Sequence, residues 1–207
     1  MEAVISALLK CADDAYRKGY ANGTSGNISF RAADDAIYIS RTGVRFRSIQ
    51  PEDFIPIMRS SGRGDPLPSK EFPMHLAIYQ SRPDLKVLFH FHCVECIAAS
   101  LLIGPERPLP LFTHTHQKKL GRVLITGDYP AGSEQLAGAA AQCARSADAA
   151  ILYRHGIIAG GQTVEDAFDK AEYLAEACRL FLSLCQQDPA AAAQLVLPPQ
   201  SAEPQKL

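Results

Sequence analysis

The chain reads as an α/β protein built as one domain. Segments whose apolar residues recur at spacings of three and four alternate with short apolar runs of strand length. The 207 residues suffice for a sizeable core and suit a single domain. Neither an internal repeat nor a linker divides residues 1–186. From 187 to 207 the composition turns to Ala, Gln and Pro, which predicts a poorly ordered tail.

Each element has a local reason. Glu2 to about Tyr20 is an amphipathic helix with Val4, Ala7, Leu8, Cys11 and Ala15 on one side. Strands are expected near Asn27–Phe30 and Ala36–Ser40. Ser69 to Gln80 is a helix with Ser69 as its N-cap and Pro83 just beyond its end. Val87–His92 is a buried strand, and Val94 to Leu102 a helix. Arg122–Thr126 is a further strand, Ser133–Arg145 an alanine-rich helix, and Ala149–Tyr153 a strand. Val164, Ala167, Phe168, Ala171, Leu174, Ala175, Cys178, Phe181 and Leu182 mark the last long helix, with Thr163 as its N-cap.

Composition excludes several classes. Lys and Arg number 21 against 22 Asp and Glu, with no basic stripe, so nucleic acid is not an expected partner. No apolar run approaches a membrane span, and Lys10, Asp13 and Asp14 interrupt the N-terminal apolar residues, so neither membrane nor export is expected. Cys11, Cys93, Cys96, Cys143, Cys178 and Cys185 form no compact framework, and free thiols in the cytoplasm are the expectation.

Chemistry concentrates on histidine. In Val87-Leu88-Phe89-His90-Phe91-His92, side chains alternate between faces, so His90 and His92 point the same way. Two imidazoles on one face are either buried residues bonded to backbone or half of a metal site. The apolar run Ala149-Ala150-Ile151-Leu152-Tyr153 leads to His155-Gly156, a histidine at a strand end. Three histidines suit a catalytic zinc, which keeps three protein ligands and one open position.

Other segments carry weaker signals. Gly23-Thr24-Ser25-Gly26-Asn27 and Arg41-Thr42-Gly43 are either ordinary turns or loops whose N–H groups and hydroxyls cradle a phosphate. Pro68-Ser69-Lys70-Glu71 opens a helix, where free N–H groups favour an anion and Lys70 adds charge. Glu71 is a candidate acid/base or simply complements the helix dipole. His114-Thr115-His116 lies in a polar segment and reads as a loop able to contact substrate, or as a rival pair of metal ligands. Cys93 and Cys96 read as small apolar packing residues, and His75 as a structural or partly exposed helix residue. Arg63-Gly64-Asp65 is a chance adhesion tripeptide.

Taken in order, the Gly23–Asn27, Thr42-Gly43 and Pro68–Glu71 segments, with His90-Phe91-His92 and His155-Gly156, resemble the class II aldolase/adducin family, which includes L-fuculose-phosphate aldolase. The resemblance runs from about Leu9 to Leu184. It implies a three-layer α/β/α sandwich around a mostly antiparallel sheet, and a homotetramer with active sites at subunit interfaces. His90, His92 and His155 would hold one divalent metal per chain, usually Zn2+, or Mn2+ or Co2+. Glu71 would be the acid/base, and Thr24, Asn27, Thr42, Gly43 and Ser69 would bind a substrate phosphate, with Lys70 beside them. The implied activity is a lyase that cleaves a C–C bond in a small phosphorylated sugar or sugar acid, by retro-aldol reaction or decarboxylation through an enediolate. Dehydration or epimerisation of a phosphorylated ketose, or an adducin-like scaffold, are the alternatives. Fuculose-phosphate aldolases read Pro-Ser-Ser-Glu here. Pro-Ser-Lys-Glu is more similar to the 3-oxo-tetronate 4-phosphate decarboxylase branch. Where that branch carries tyrosines this chain has His114 and His116, so His114 or His116, from its own or a neighbouring subunit, would take the aldolase tyrosine's proton-handling role.

Overall fold

The computed structural model describes residues 1–57 and 67–190; the Arg63-Gly64-Asp65 tripeptide and residues 191–207 lie outside them. Among the described residues seven strands form one sheet: β1 (Asn27–Arg31), β2 (Ile37–Ser40), β3 (Phe54–Pro56), β4 (Val87–Phe91), β5 (Leu124–Ile125), β6 (Ala149–Leu152) and β7 (Gly156–Gly161). Their order is β3-β2-β1-β4-β7-β6-β5. Every pairing is antiparallel except β5 with β6. Among the described residues six α-helices accompany the sheet: α1 (Glu2–Arg17), α2 (Phe72–Ser81), α3 (Val94–Ile103), α4 (His114–Leu120), α5 (Glu134–Ala144) and α6 (Val164–Gln187).

Alternation along the strands builds two cores and hence three layers. Ile28 and Phe30 of β1, Val87, Phe89 and Phe91 of β4, and Ile157 and Ala159 of β7 face α1, α3 and α6. Leu88, Ala150, Leu152 and Ile158 face α2 and α5. All five residues of β4 are buried, because that strand is central and covered on both faces. Asn27, Ser29 and His90 project from the α2 face, where apolar residues would otherwise be expected.

Several boundaries differ from the sequence reading for identifiable reasons. The cap of α2 is Glu71, not Ser69: the chain first makes a turn in which Phe72 N–H donates to the Ser69 carbonyl at 3.0 Å. His114–Leu120 is a helix, not a loop, capped by Thr113 Oγ1, which accepts from His116 N–H at 3.0 Å. Its polar composition concealed it, since only His116 and Leu120, four apart, turn inward. Strand β7 was not anticipated, because three of its six residues are glycine. The short β3 was missed as well, being three residues that end in proline. Thr163 and Ser133 cap α6 and α5 through their hydroxyls, Thr163 as expected.

Gly156 opens β7 where that strand meets β4, and a Cβ there would lie 2.2 Å from the Phe91 carbonyl oxygen. The obstacle is backbone and cannot swing aside. We expect Gly156→Ala to destabilise by about 2 kcal/mol or more, lowering Tm by roughly 4–8 °C in a chain of this size. A thermal scan with an unchanged Tm would show that the two strands do not approach so closely.

Candidate metal centre

β4 carries His90 inside the sheet, and His92 follows one residue beyond its end, on the same face. The β6–β7 hairpin supplies His155 from a three-residue loop in which Arg154 takes a left-handed φ of 59°. Ser100 Oγ accepts from Arg154 N–H at 3.1 Å and Thr126 Oγ1 from Tyr153 N–H at 3.1 Å, which fixes the loop to α3 and to the chain beyond β5. Because β7 pairs with β4, His155 arrives beside His90 and His92. The three ring centroids stand 4.8 Å from one another.

Glu71, at the head of α2, closes the group. Its Oε2 lies 2.9 Å from His90 Nε2 and its Oε1 3.3 Å from His155 Nε2. His90 Nε2 is 3.0 Å from His92 Nε2. One ligand atom from each of the four residues falls within 4.8 Å of the other three. Asn27 Nδ2 donates to Glu71 Oε2 at 3.0 Å, and Glu71 N–H to Ser69 Oγ at 3.3 Å.

The protonation pattern shows what the group lacks. His90 Nδ1 is 2.8 Å from the Ile157 carbonyl, which can only accept, so Nδ1 carries a proton and Nε2 is the atom turned toward the cluster. Burial, followed by the neighbouring His90 and His155, pushes the His92 pKa down to about 3. Burial and then His90 push His155 down to about 4. Burial alone would raise Glu71, but His90, His155 and the Asn27 amide outweigh it and hold the carboxyl well below the usual carboxylate range. The result is a buried set of acceptors converging on one point, which calls for a cation. Neutral imidazoles and a carboxylate are the donor types that a divalent metal such as zinc takes.

A cleft of about 220 Å³ opens from this group. Thr24, Asn27, Thr42, Gly43, Ser69 and Lys70, the residues expected to hold phosphate, all line it, together with Glu71, His92 and His155. Two features escaped the sequence reading. The Asn27 amide is engaged with Glu71, and Arg41 joins Lys70 in the lining while pairing with Asp53. Arg41 stood in the quoted motif but carried no signal apart from its charge. His116 is not in the cleft of its own chain; it is buried under α6, with Nε2 3.5 Å from Glu176 Oε2. His114 is exposed. A larger hollow of about 440 Å³ between α1 and α6, lined by Lys18, Tyr20, Asp169, Glu172, Tyr173, Glu176 and Arg179, has no comparable convergence of ligand atoms among the described residues.

Residues 6–182 match the family model described as class II aldolase and adducin N-terminal domain. The chain belongs to the class II aldolase and adducin family. Within it, the chain is 30% identical over 172 residues to the 3-oxo-tetronate 4-phosphate decarboxylase of Haemophilus influenzae, covering 82% of both chains. It is 31% identical over 180 residues to the L-fuculose phosphate aldolase of Methanococcus vannielii, covering 85% of this chain and 94% of that one. The crystal structure of L-fuculose-1-phosphate aldolase from Thermus thermophilus superposes with a TM-score of 0.79 at 24% identity, over 92% of this chain and 98% of the other, which shows the shared fold. Class II aldolases are lyases that use a divalent metal, and Glu71, His90, His92 and His155 form a group able to bind one.

The depressed histidine pKa values fix the sign of a pH effect. His92 and His155 titrate lower in the folded chain than the value near 6.5 of an unfolded one, so the unfolded state takes up more protons as pH falls. Stability of the metal-free protein therefore drops below about pH 6.5, down towards pH 4. Urea midpoints of stripped protein should be lower at pH 5 than at pH 7, with a smaller gap in His92→Gln/His155→Gln. An equal gap in that variant would place the titration elsewhere.

Proposed function

We propose that the chain is a metal-dependent lyase that cleaves a C–C bond in a small phosphorylated sugar or sugar acid. The observation that carries this reading is the convergence of three imidazoles and one carboxylate on a single point at the floor of a polar cleft. In this reading His90, His92 and His155 hold one Zn2+, Mn2+ or Co2+ per chain. The ion supplies Lewis acidity that stabilises negative charge developing on substrate oxygen as the bond breaks.

The protein's own groups do the rest. Thr24, Thr42, Gly43 and Ser69 bind the phosphate with N–H and hydroxyl donors, and Lys70 adds charge. That grip fixes the substrate's register relative to the histidines. Asn27 shares the cleft but directs its amide to Glu71, steadying the carboxylate. Glu71 moves a proton between the reacting carbon and oxygen. Lys70 in the lining favours an anionic substrate, and Arg41 beside it is already paired with Asp53.

The same reading assigns the chain to a homotetramer with active sites at subunit interfaces; His116, buried under α6 against Glu176, has no part in it. Exposed Val94, Leu101 and Leu102 support it, since they give α3 an apolar outer face that starts two residues beyond His92.

Protein purified without added metal should contain about one divalent ion per chain, and His90→Ala/His92→Ala should contain none. Product analysis should find C–C cleavage, not a dehydrated or epimerised ketose. Glu71→Gln should lower kcat by about 10²–10⁴; full turnover in that variant would remove Glu71 from the mechanism. Lys70→Met should raise KM for a phosphorylated substrate at least about tenfold, the loss of one charge-assisted hydrogen bond.

A further inference from the structure

A row of buried polar residues runs beneath the cleft, and the proposed chemistry gives most of it no task. Glu71, His75 and Tyr79 follow one another at spacings of four along α2 and its cap, so they stack on one side of the helix. Asn27, Ser29 and Arg31 alternate onto the face of β1 that α2 covers. The two rows meet pair by pair. Asn27 Nδ2 donates to Glu71 Oε2 at 3.0 Å. Ser29 Oγ lies 2.7 Å from His75 Nδ1 and 3.0 Å from Tyr79 Oη. Arg31 Nη2 donates to the Tyr79 carbonyl at 3.0 Å, and its guanidinium stands 5.2 Å from the Tyr79 ring centroid.

Ser29 and His75 are completely out of solvent. Burial pushes the His75 pKa down to about 3, so the ring is neutral and offers one donor and one acceptor. Polar groups placed this deep cost free energy that apolar ones would not. What they add is register. An apolar helix face can roll or slide on a sheet and keep its contacts, whereas a hydrogen bond between two fixed partners cannot. The neighbours of His75 are Glu71 and Tyr79 on its own helix, Ser29 on β1 and His90 on β4.

We infer that the Ser29–His75 hydrogen bond pins α2 in register on β1, and that His75 is thereby a positioning residue for Glu71, one helical turn away at the histidine cluster. His75 does not touch substrate; it acts through where it holds the carboxylate. A displacement of about 1 Å at a reacting group is enough to cost on the order of a hundredfold in rate. The inference rests on the proposed function only for its activity readout, so its first test avoids activity.

In metal-free protein, His75→Leu and Glu71→Ala are combined in a double-mutant cycle read by urea unfolding. If His75 places Glu71 against Asn27 and His90, the two changes are non-additive. The unfolding constant of the double variant then departs at least about fivefold from the product of the single effects. Additivity within about twofold overturns the inference. In the active enzyme, His75→Leu should lower kcat about 10–100-fold while KM stays within about twofold, the mark of a displaced reacting group and not of lost substrate binding. His75→Asn, whose amide reaches the place of Nδ1, should recover most of that loss. Ser29→Ala should match His75→Leu, and the pair together should fall no further. An Asn variant no better than Leu overturns the pin. Should His75→Leu fail to fold, His75→Asn and Ser29→Ala, each combined with Glu71→Ala, decide the question in the same cycle. A wild-type chain with no turnover defeats the proposed function, while the metal-free cycle still decides the register.

Discussion

A carboxylate removed from water must be met by opposite charge or by donors, because its desolvation alone costs several kcal/mol. Glu71 is 8% exposed, and the surrounding structure is arranged around that demand. Asn27 comes from β1, His90 from β4 and His155 from the β6–β7 hairpin, so three neighbouring parts of one sheet each send a side chain to the head of α2. Their meeting depends on close backbone approach on both flanks of β4. A Cβ at Gly26, whose φ is +84°, would stand 2.6 Å from the His90 carbonyl oxygen, and one at Gly156 would stand 2.2 Å from that of Phe91. These two glycines set the spacing of the histidines as directly as the histidines' own rotamers do.

Local rules reached part of this arrangement. The period of two along β4 is a property of the strand itself, so the convergence of His90 and His92 was legible from sequence alone. The same rule explains why the second His-x-His pair means something different. Two residues apart on a helix lie about 200° apart around its axis. His114 therefore faces solvent while His116 turns under α6. The location of His155 was not legible from local pattern, since it follows from β7 pairing with β4, a contact between segments more than sixty residues apart. The order of motifs along the chain, matched to a family, supplied what periodicity could not. Asn27 and His75 show the remaining gap. Both stood in plain view, but nothing local says that an asparagine at the start of a strand commits its amide to a helix cap, or that a mid-helix histidine is wholly buried.

The polar row under α2 and the acceptor-rich cluster at its head are one design with two costs. Ser29 Oγ joins His75 Nδ1 and Tyr79 Oη and so fixes the register, while His75 Nε2 and Arg31 Nε are buried without a partner and add to the cost. The cluster adds to that cost, because the buried Glu71 Oε1 and His155 Nδ1 find no hydrogen-bond partner there. Without a cation, this part of the core works against the fold. With one, the free energy of ligation is added to folding, since the unfolded chain holds no preformed site. The pinned register of α2 then has a thermodynamic consequence as well as a geometric one. It keeps four electron-rich atoms together in the metal-free chain at a cost to that state. That cost need not be met again when an ion arrives, and preorganisation of this kind favours binding at a helix cap and a strand end.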